Sequence, residues 1–481
     1  MIIKPKLKVY VDWFGNEQYS NETALLSAAT FQLFNVDMTS SLEPKAKPTS
    51  GQITFVNKNG RFSLNSLIPN KDTELESALS DFPVNGVNVI ITLEDNSDPD
   101  MISDKPIFYG SLTSPSGDSF SITFKLQNKL SGKIQRKRTT ETFQYKSTSE
   151  LIELFDDTGL VYPVAASPTT VEYSSLDNES SINAILKMME ASLAYVVSDN
   201  SPVINVYPHD YMLVQPLEPI IIDVRQIAES RTQFVSRMNI FDEIVVDYTP
   251  PILNAEQDLI RDKQPIIIEA GAVNEKHELK LSSQLVGNGD VDYDVVSNGD
   301  ATLTTISYQL YGNTIVFTVS NSDTLLSYIT NIRVNGISVS FSKKEKVTHP
   351  IVQDPNFSRT FATNKYIQNK LQADWIATTL GKRMERFGQF NDDFVIIKNA
   401  IPNEKYVFGR PVILIDEYGR QIDYYLFSTT ARFSSTQGLW MDLTLVSKNY
   451  LYGDTSGDAG TCGKPYIIGV DQLDNTKVCM I

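Results

Sequence analysis

Cysteine is nearly missing from this chain: Cys462 and Cys479 are the two among 481 residues. Both stand near the C-terminus, so no disulfide framework can staple what precedes them, and reduced, cytosolic synthesis is the simplest expectation. Histidine is as scarce, with His209, His277 and His349 far apart in sequence, which argues against a His-rich metal centre. No apolar run approaches the roughly 18 residues of a membrane-spanning helix; Leu193 to Val197 is typical of those present. The opening, Met1 to Trp13, interleaves Lys4, Lys6 and Lys8 with apolar residues and lacks the apolar core of a signal peptide. Basic residues are outnumbered: Lys plus Arg is 42 and Asp plus Glu is 58, so the net charge is 42 − 58 = −16. A broad phosphate-binding face is therefore disfavoured.

Motifs that carry catalysis are absent too. No His-Glu-x-x-His occurs, and Gly457-Asp458-Ala459-Gly460-Thr461-Cys462-Gly463-Lys464 lacks the glycine spacing and the hydroxyl residue of a phosphate-binding loop. Asp290, Asp292 and Asp294 alternate as in a calcium loop, but Val295 replaces the needed glycine and Ala301 the closing glutamate, so a solvated strand face is the better reading. The doublets Asp156-Asp157, Asp242-Glu243 and Asp392-Asp393 hold paired carboxylates, yet neighbours on a strand point to opposite faces and cannot flank one glycosidic bond. The basic cluster Lys133, Arg136, Lys137 and Arg138 reads as a solvated edge or a salt-bridged subunit contact before an anion site. Trp13, Trp375 and Trp440 read as core anchors rather than a sugar platform.

What is present is alternation. Leu7–Asp12, Thr30–Asp37, Gln52–Val56, Val87–Glu94, Ile107–Thr113 and Phe120–Leu126 alternate apolar and polar residues between Gly, Asn and Pro turn signals. They predict an antiparallel barrel or sandwich over residues 1 to about 140, within a first domain of 1–145. Ser147 to Glu150 has capping-box spacing ahead of Leu151, Leu154 and Phe155. Ile182, Ile185, Leu186, Met189 and Leu193 then form one helical face, so residues 146–210 predict a small α/β element.

Strands resume at Ile220–Val224 and Ile244–Tyr248. After Pro250-Pro251 a segment at 263–348, with hairpin signals at Gly312-Asn313 and Asn335-Gly336, predicts an inserted immunoglobulin-like β-sandwich. Residues 211–262 and 349–450 carry the flanking strands, with a helix at 364–387 along Ile367, Leu371, Trp375, Leu380 and Met384, and 451–481 is a tail. The fold class is mainly β with a few helices. A weak internal repeat aligns Gly86 to Asp95 with Gly409 to Glu417, Ile107 to Thr113 with Asp423 to Thr429, and Phe120 to Leu126 with Leu439 to Leu445.

The run Val9 to Gly15 followed by Gly51 to Ser63, then Phe108-Tyr109-Gly110, the helix opening at Ser147, the insert closing at Val334-Asn335-Gly336, the helix from Ala373 and the stretch Ser434 to Val446 together resemble the tail hub (baseplate hub or minor tail) proteins of long-tailed bacteriophages. The resemblance spans about residues 7 to 450 and is carried by diffuse patterns rather than one signature. It implies two similar hub-type barrels per chain that close as a homotrimer into a pseudo-six-fold ring. The ring would join the tail tube or distal tail protein to the receptor-binding or fibre proteins, meet the tape-measure protein, and let DNA pass without specific binding. It implies a virion tail-tip location after synthesis in the host cytoplasm, no enzymatic activity, no catalytic or metal residue and no cofactor. A β-sandwich adhesin or carbohydrate-binding protein is the alternative supported by aromatic content, and a polysaccharide-degrading enzyme is a third.

Overall fold

The computed structural model describes residues 6–37, 44–46, 50–58, 62, 86–94, 104–118, 120–128, 136–140, 142–156, 159, 161–164, 169–198, 203–214, 217–226, 231–234, 241–262, 264–361, 364–386 and 393–452. Cys462, Cys479, the stretch 457–464, Lys133, Asp157 and Asp392 lie outside them.

Alternation in the sequence becomes alternation of burial. Strand β1 (Lys6–Asp12) buries Leu7, Val9 and Val11; the other strands of the first set are β2 (Leu26–Asp37), β3 (Ser50–Val56), β4 (Val87–Glu94), β5 (Asp104–Gly117) and β6 (Ser121–Asn128), which buries Ile122, Phe124 and Leu126. A second set is β7 (Ile220–Asp223), β8 (Arg231–Phe234), β9 (Phe394–Ala400), β10 (Pro411–Ile415), β11 (Gln421–Ser434) and β12 (Gly438–Ser447), the last burying Leu439, Met441, Leu443 and Leu445. The strands whose side chains are described are thus apolar on the face that meets the core, which both sets share.

The strand order repeats. In the first set it runs β1-β4-β5-β6-β3-β2, and in the second β7-β10-β11-β12-β9-β8. One difference is direction: β1 is antiparallel to β4, whereas β7 is parallel to β10. The two sets join through β2 and β11 into one 14-stranded sheet. The chain is mainly β, as expected, but neither expected barrel is closed by hydrogen bonds among the described residues, because β1 does not pair β2 and β7 does not pair β8. Closure depends on which edges meet, and alternation within a strand carries no record of that.

Register makes the repeat concrete. Leu112 of β5 faces Leu126 of β6, as Leu426 of β11 faces Leu445 of β12; Gly117 faces Ile122 as Ala431 faces Met441. Between these pairs each long strand carries a bulge, at Thr113/Ser116 and at Leu426/Ser428. The sequence alignment of β6 with β12 is in this register. That of Ile107–Thr113 with Asp423–Thr429 is displaced by two residues, a slip that keeps every side chain on its face and so is invisible to alternation. Gly86 and Gly409 correspond: both have positive φ, +77° and +70°, and each leads into its β4 or β10 strand.

Between the sets lies a second core. Helix α1 (Thr148–Phe155) begins with the expected capping box, Ser147 with Glu150, and α2 (Ser181–Ala191) buries Ile185, Met188 and Met189. Leu193 is buried just beyond that helix, at φ +50°, while Ile182 and Leu186 pack at its margin. Helix α3 (Lys370–Arg386) packs Ala373, Ile376, Ala377, Leu380 and Met384 into the same cluster. It starts later than expected, and Leu371 is 65% exposed. The preceding segment is instead held by side chains: Asn364 donates to the Lys187 carbonyl, and Gln368 both accepts from the Tyr173 N–H and donates to its carbonyl.

The insert is a sandwich with its own core of Leu259, Ile268, Leu285, Phe317, Ile329, Ile332 and Val334. Its central strand, Ser327–Phe341, is flanked by Pro251–Asp262 and Asp290–Ser297, and a second sheet contains 275–280, 314–321 and 304–311. The sandwich therefore takes in Pro251 to Asp262, while 345–350 pairs with 243–248 outside it. Gly312-Asn313 is the expected two-residue turn. Asn335-Gly336 is not a turn but mid-strand, where a Cβ on Gly336 would lie 2.6 Å from Leu285 Cδ1. Glycine serves close packing there rather than reversal.

Candidate assembly interface

Among the described residues the seam between the two strand sets is the one place where they pair edge to edge. Ala28 to Asn35 of β2 pair antiparallel with Ser434 to Ser428 of β11, with Phe31 opposite Ala431 and Thr30 opposite Arg432. At the tip, the Ser435 N–H donates to the Ser27 carbonyl at 3.0 Å, so the β11–β12 hairpin lies over the start of β2. Long strand β11 makes this possible by serving two partners on one edge: its first part, Gln421–Tyr425, pairs β10, and its later part pairs β2.

The residues singled out from sequence divide in the structure. Arg138 makes a bidentate pair with Glu278 of the sandwich, Nη1 to Oε2 at 2.9 Å and Nη2 to Oε1 at 2.5 Å, so this member of the basic cluster joins the insert to the rest of its own chain. Hydrogen bonding to Glu278 raises the Arg138 pKa, and hydrogen bonding to Arg138 lowers that of Glu278. Beside it Thr142 donates to the Leu285 carbonyl and Asn313 to Asp177.

Asp290, Asp292 and Asp294 project from the exposed face of one strand, and Asp294 accepts from Asn331 at 2.6 Å. Among the described residues no group of three or more metal-ligating side chains occurs. Asp242 accepts from the Asn356 and Phe357 N–H groups, and Asp156 from that of Val161, which are loop-tying roles. Trp13 is buried against Phe62 and Phe124, and its Nε1 donates to Glu22 at 2.9 Å. Trp375 packs edge-on against His209. No described helix is long and apolar enough to cross a membrane.

Sequence reading missed one buried polar group. Arg383, fully buried on α3, lies with Nη2 3.1 Å from His209 Nδ1, beside Tyr195 and Tyr452. Burial, then the guanidinium, holds the imidazole pKa well below its ordinary value. Burial likewise raises the Tyr195 and Tyr452 phenols, and Tyr452 donates to the His209 carbonyl. Arg383 stands between Lys382 and Arg386 near the end of α3, and the sequence offers no way to tell the buried cation from its neighbours.

No protein-family model matches the chain, and no curated protein matches it. Solved structures similar to it include a tail protein from Neisseria meningitidis MC58, at 8% identity over 93% of this chain and 98% of that one, with a TM-score of 0.47. A 43 kDa tail protein of prophage MuSo2 from Shewanella oneidensis is similar at 9% identity over 93% and 99%, with a TM-score of 0.44. A prophage tail protein from Listeria monocytogenes EGD-e is similar at 8% identity over 92% and 94%, with a TM-score of 0.37. Each of these likenesses spans most of both chains.

Proposed function

We propose that this chain is a structural, non-enzymatic hub of a phage tail tip, which assembles as a homotrimer whose repeated strand sets make a pseudo-six-fold ring. One observation carries the reading: six strands in one order occur twice, in matching register along β5–β6 and β11–β12, and share a single continuous sheet. Three chains with two similar sets each present six similar units, the number needed to match a six-fold tube with three-fold symmetry. Catalysis has no part in that design. In this reading the ring joins the tube or distal tail protein above to receptor-binding or fibre proteins and the tape-measure protein, at the virion tail tip, after synthesis in the host cytoplasm.

DNA would cross such a ring without being held. The net charge of −16 suits a passage that offers phosphates few partners, because each cation meeting a phosphate adds salt-sensitive affinity. Native mass spectrometry of the full chain tests the reading, with a trimer as the expected mass. A monomer at all concentrations, or tight DNA binding by the trimer at physiological salt, overturns it.

A further inference from the structure

The sandwich meets the rest of the chain at one crossing point and rests on it along one side. Its two ends meet where the Ser342 N–H donates to the Pro250 carbonyl. Its two sheets contain no strand from outside residues 251–341, and its core residues belong neither to the core of the strand sets nor to the one between them. Among the described residues, side chains and one turn therefore hold it down.

Those contacts are polar. Arg138 pairs with Glu278, Thr142 donates to the Leu285 carbonyl and accepts from Gln284, Asn313 donates to Asp177, and the Gly312 N–H donates to the Thr139 carbonyl at 3.3 Å. The Glu278 side chain is 43% exposed, so water and salt reach the pair even when it is made. One apolar contact accompanies them, Tyr173 against Val286 and Val339. A unit with its own core, set on an interface this polar, is free to move relative to its support.

Movement would change one surface. Val339 is the middle of an apolar row on the strand Ser327–Phe341, between the exposed Ile337 and Phe341 and opposite the exposed Leu253. Tyr173 covers the centre of that row and leaves its ends in water.

We infer that the sandwich is a hinged arm, which pivots where Pro250 meets Ser342, is latched to the middle core through Arg138 and Glu278, and opens without unfolding to bare Val286, Val339 and Tyr173. Closed, the arm hides the centre of the apolar row; open, it completes that row. The inference does not depend on the oligomeric state proposed above.

The test reads rare opening as thiol reactivity in the full chain with Cys462→Ser and Cys479→Ser. Val339→Cys puts a thiol under Tyr173, at a position 1% exposed, and Ile329→Cys puts one in the sandwich core. With Ellman's reagent in native buffer the thiol at 339 should react at least about tenfold faster than the one at 329, because hinge opening is a smaller excursion than unfolding of the sandwich. Glu278→Ala should raise the rate at 339 about tenfold, as loss of a charge-assisted bidentate pair does, and salt at about 1 M should raise it too. Neither should alter the rate at 329. Val286→Cys, under the same ring, repeats the measurement should Val339→Cys fail to fold. Equal rates at the two positions would show that the sandwich leaves its place only by unfolding, which overturns the hinge. A faster rate at 339 that ignores both Glu278→Ala and salt overturns the latch.

Discussion

His209 accepts a hydrogen bond from Arg383, because a guanidinium can only donate: Nδ1 is the acceptor at 3.1 Å, and the neutral imidazole keeps its proton on Nε2. The pair ties α3, in the middle core, to Tyr452, which belongs to the core of the strand sets. Protonating His209 would place a second cation against the first.

That arrangement fixes a pH dependence. The folded pKa of His209 lies well below the ordinary 6.5, through burial and then Arg383, so below about pH 6.5 the unfolded chain takes up a proton that the folded one refuses. Stability contributed by this site is therefore full above 6.5 and falls as pH drops, by at most about 1.4 kcal/mol per pH unit. His209→Gln keeps an acceptor for Arg383 and should flatten that slope in denaturant titrations between pH 7 and 5. An unchanged slope would show that His209 does not contribute to it.

The α1 capping box gives a second outcome. Glu150 accepts from the Ser147 backbone and hydroxyl and from Lys146, which together lower its pKa to about 2. A carboxylate depressed in the folded state stabilises above its unfolded value near 4.5, and that contribution is lost as pH falls toward 2. Ser147→Ala should cost about 1 kcal/mol at neutral pH, read from the midpoint of urea unfolding.

The paired glycines should respond unequally. Both sit at positive φ, so alanine costs about 1 kcal/mol from backbone strain at either. A Cβ at Gly86 would also stand 2.1 Å from the Leu112 carbonyl oxygen, which β-sheet pairing holds in place, whereas at Gly409 the nearest atom is Met212 Cγ at 3.0 Å, on a flexible side chain. Gly86→Ala should therefore destabilise by about 3 kcal/mol and Gly409→Ala by about 1, in thermal unfolding of each variant.

Strand positions and the capping box were legible because each is a local pattern: Leu7, Val9 and Val11 alternate, and Ser147 precedes Glu150 by three. The repeat was legible where glycine pinned it, at Gly86 and Gly409, and slipped by two where alternation alone guided it. Leu371 misled because Ile367 set the phase of the helix, yet α3 starts at Lys370 and its apolar face is set by Ala373, Ile376, Ala377 and Leu380. Asn335-Gly336 has turn chemistry, but a strand paired on both sides satisfies its backbone without one. The seam was not legible at all, since edge pairing is a relation between distant backbones.

The insert offers the last outcome. Its two ends meet: the Ser342 N–H donates to the Pro250 carbonyl at 2.9 Å, and Tyr248 then pairs Glu345 in strands that belong to the rest of the chain. Its core is its own, which makes excision geometrically simple. Against this, Arg138, Thr142 and Asp177 bond to it, and Tyr173 packs on Val286 and Val339. The polar groups face water once the insert is gone and regain partners there, so their loss costs little, and the Tyr173 contact is small. Replacing 251–341 with Asn-Gly, which suits a two-residue hairpin, should leave a cooperative thermal transition weakened by about 1–3 kcal/mol and the same native mass class as the full chain. A product with no cooperative transition would show that the sandwich is part of the fold's common core rather than a unit set upon it.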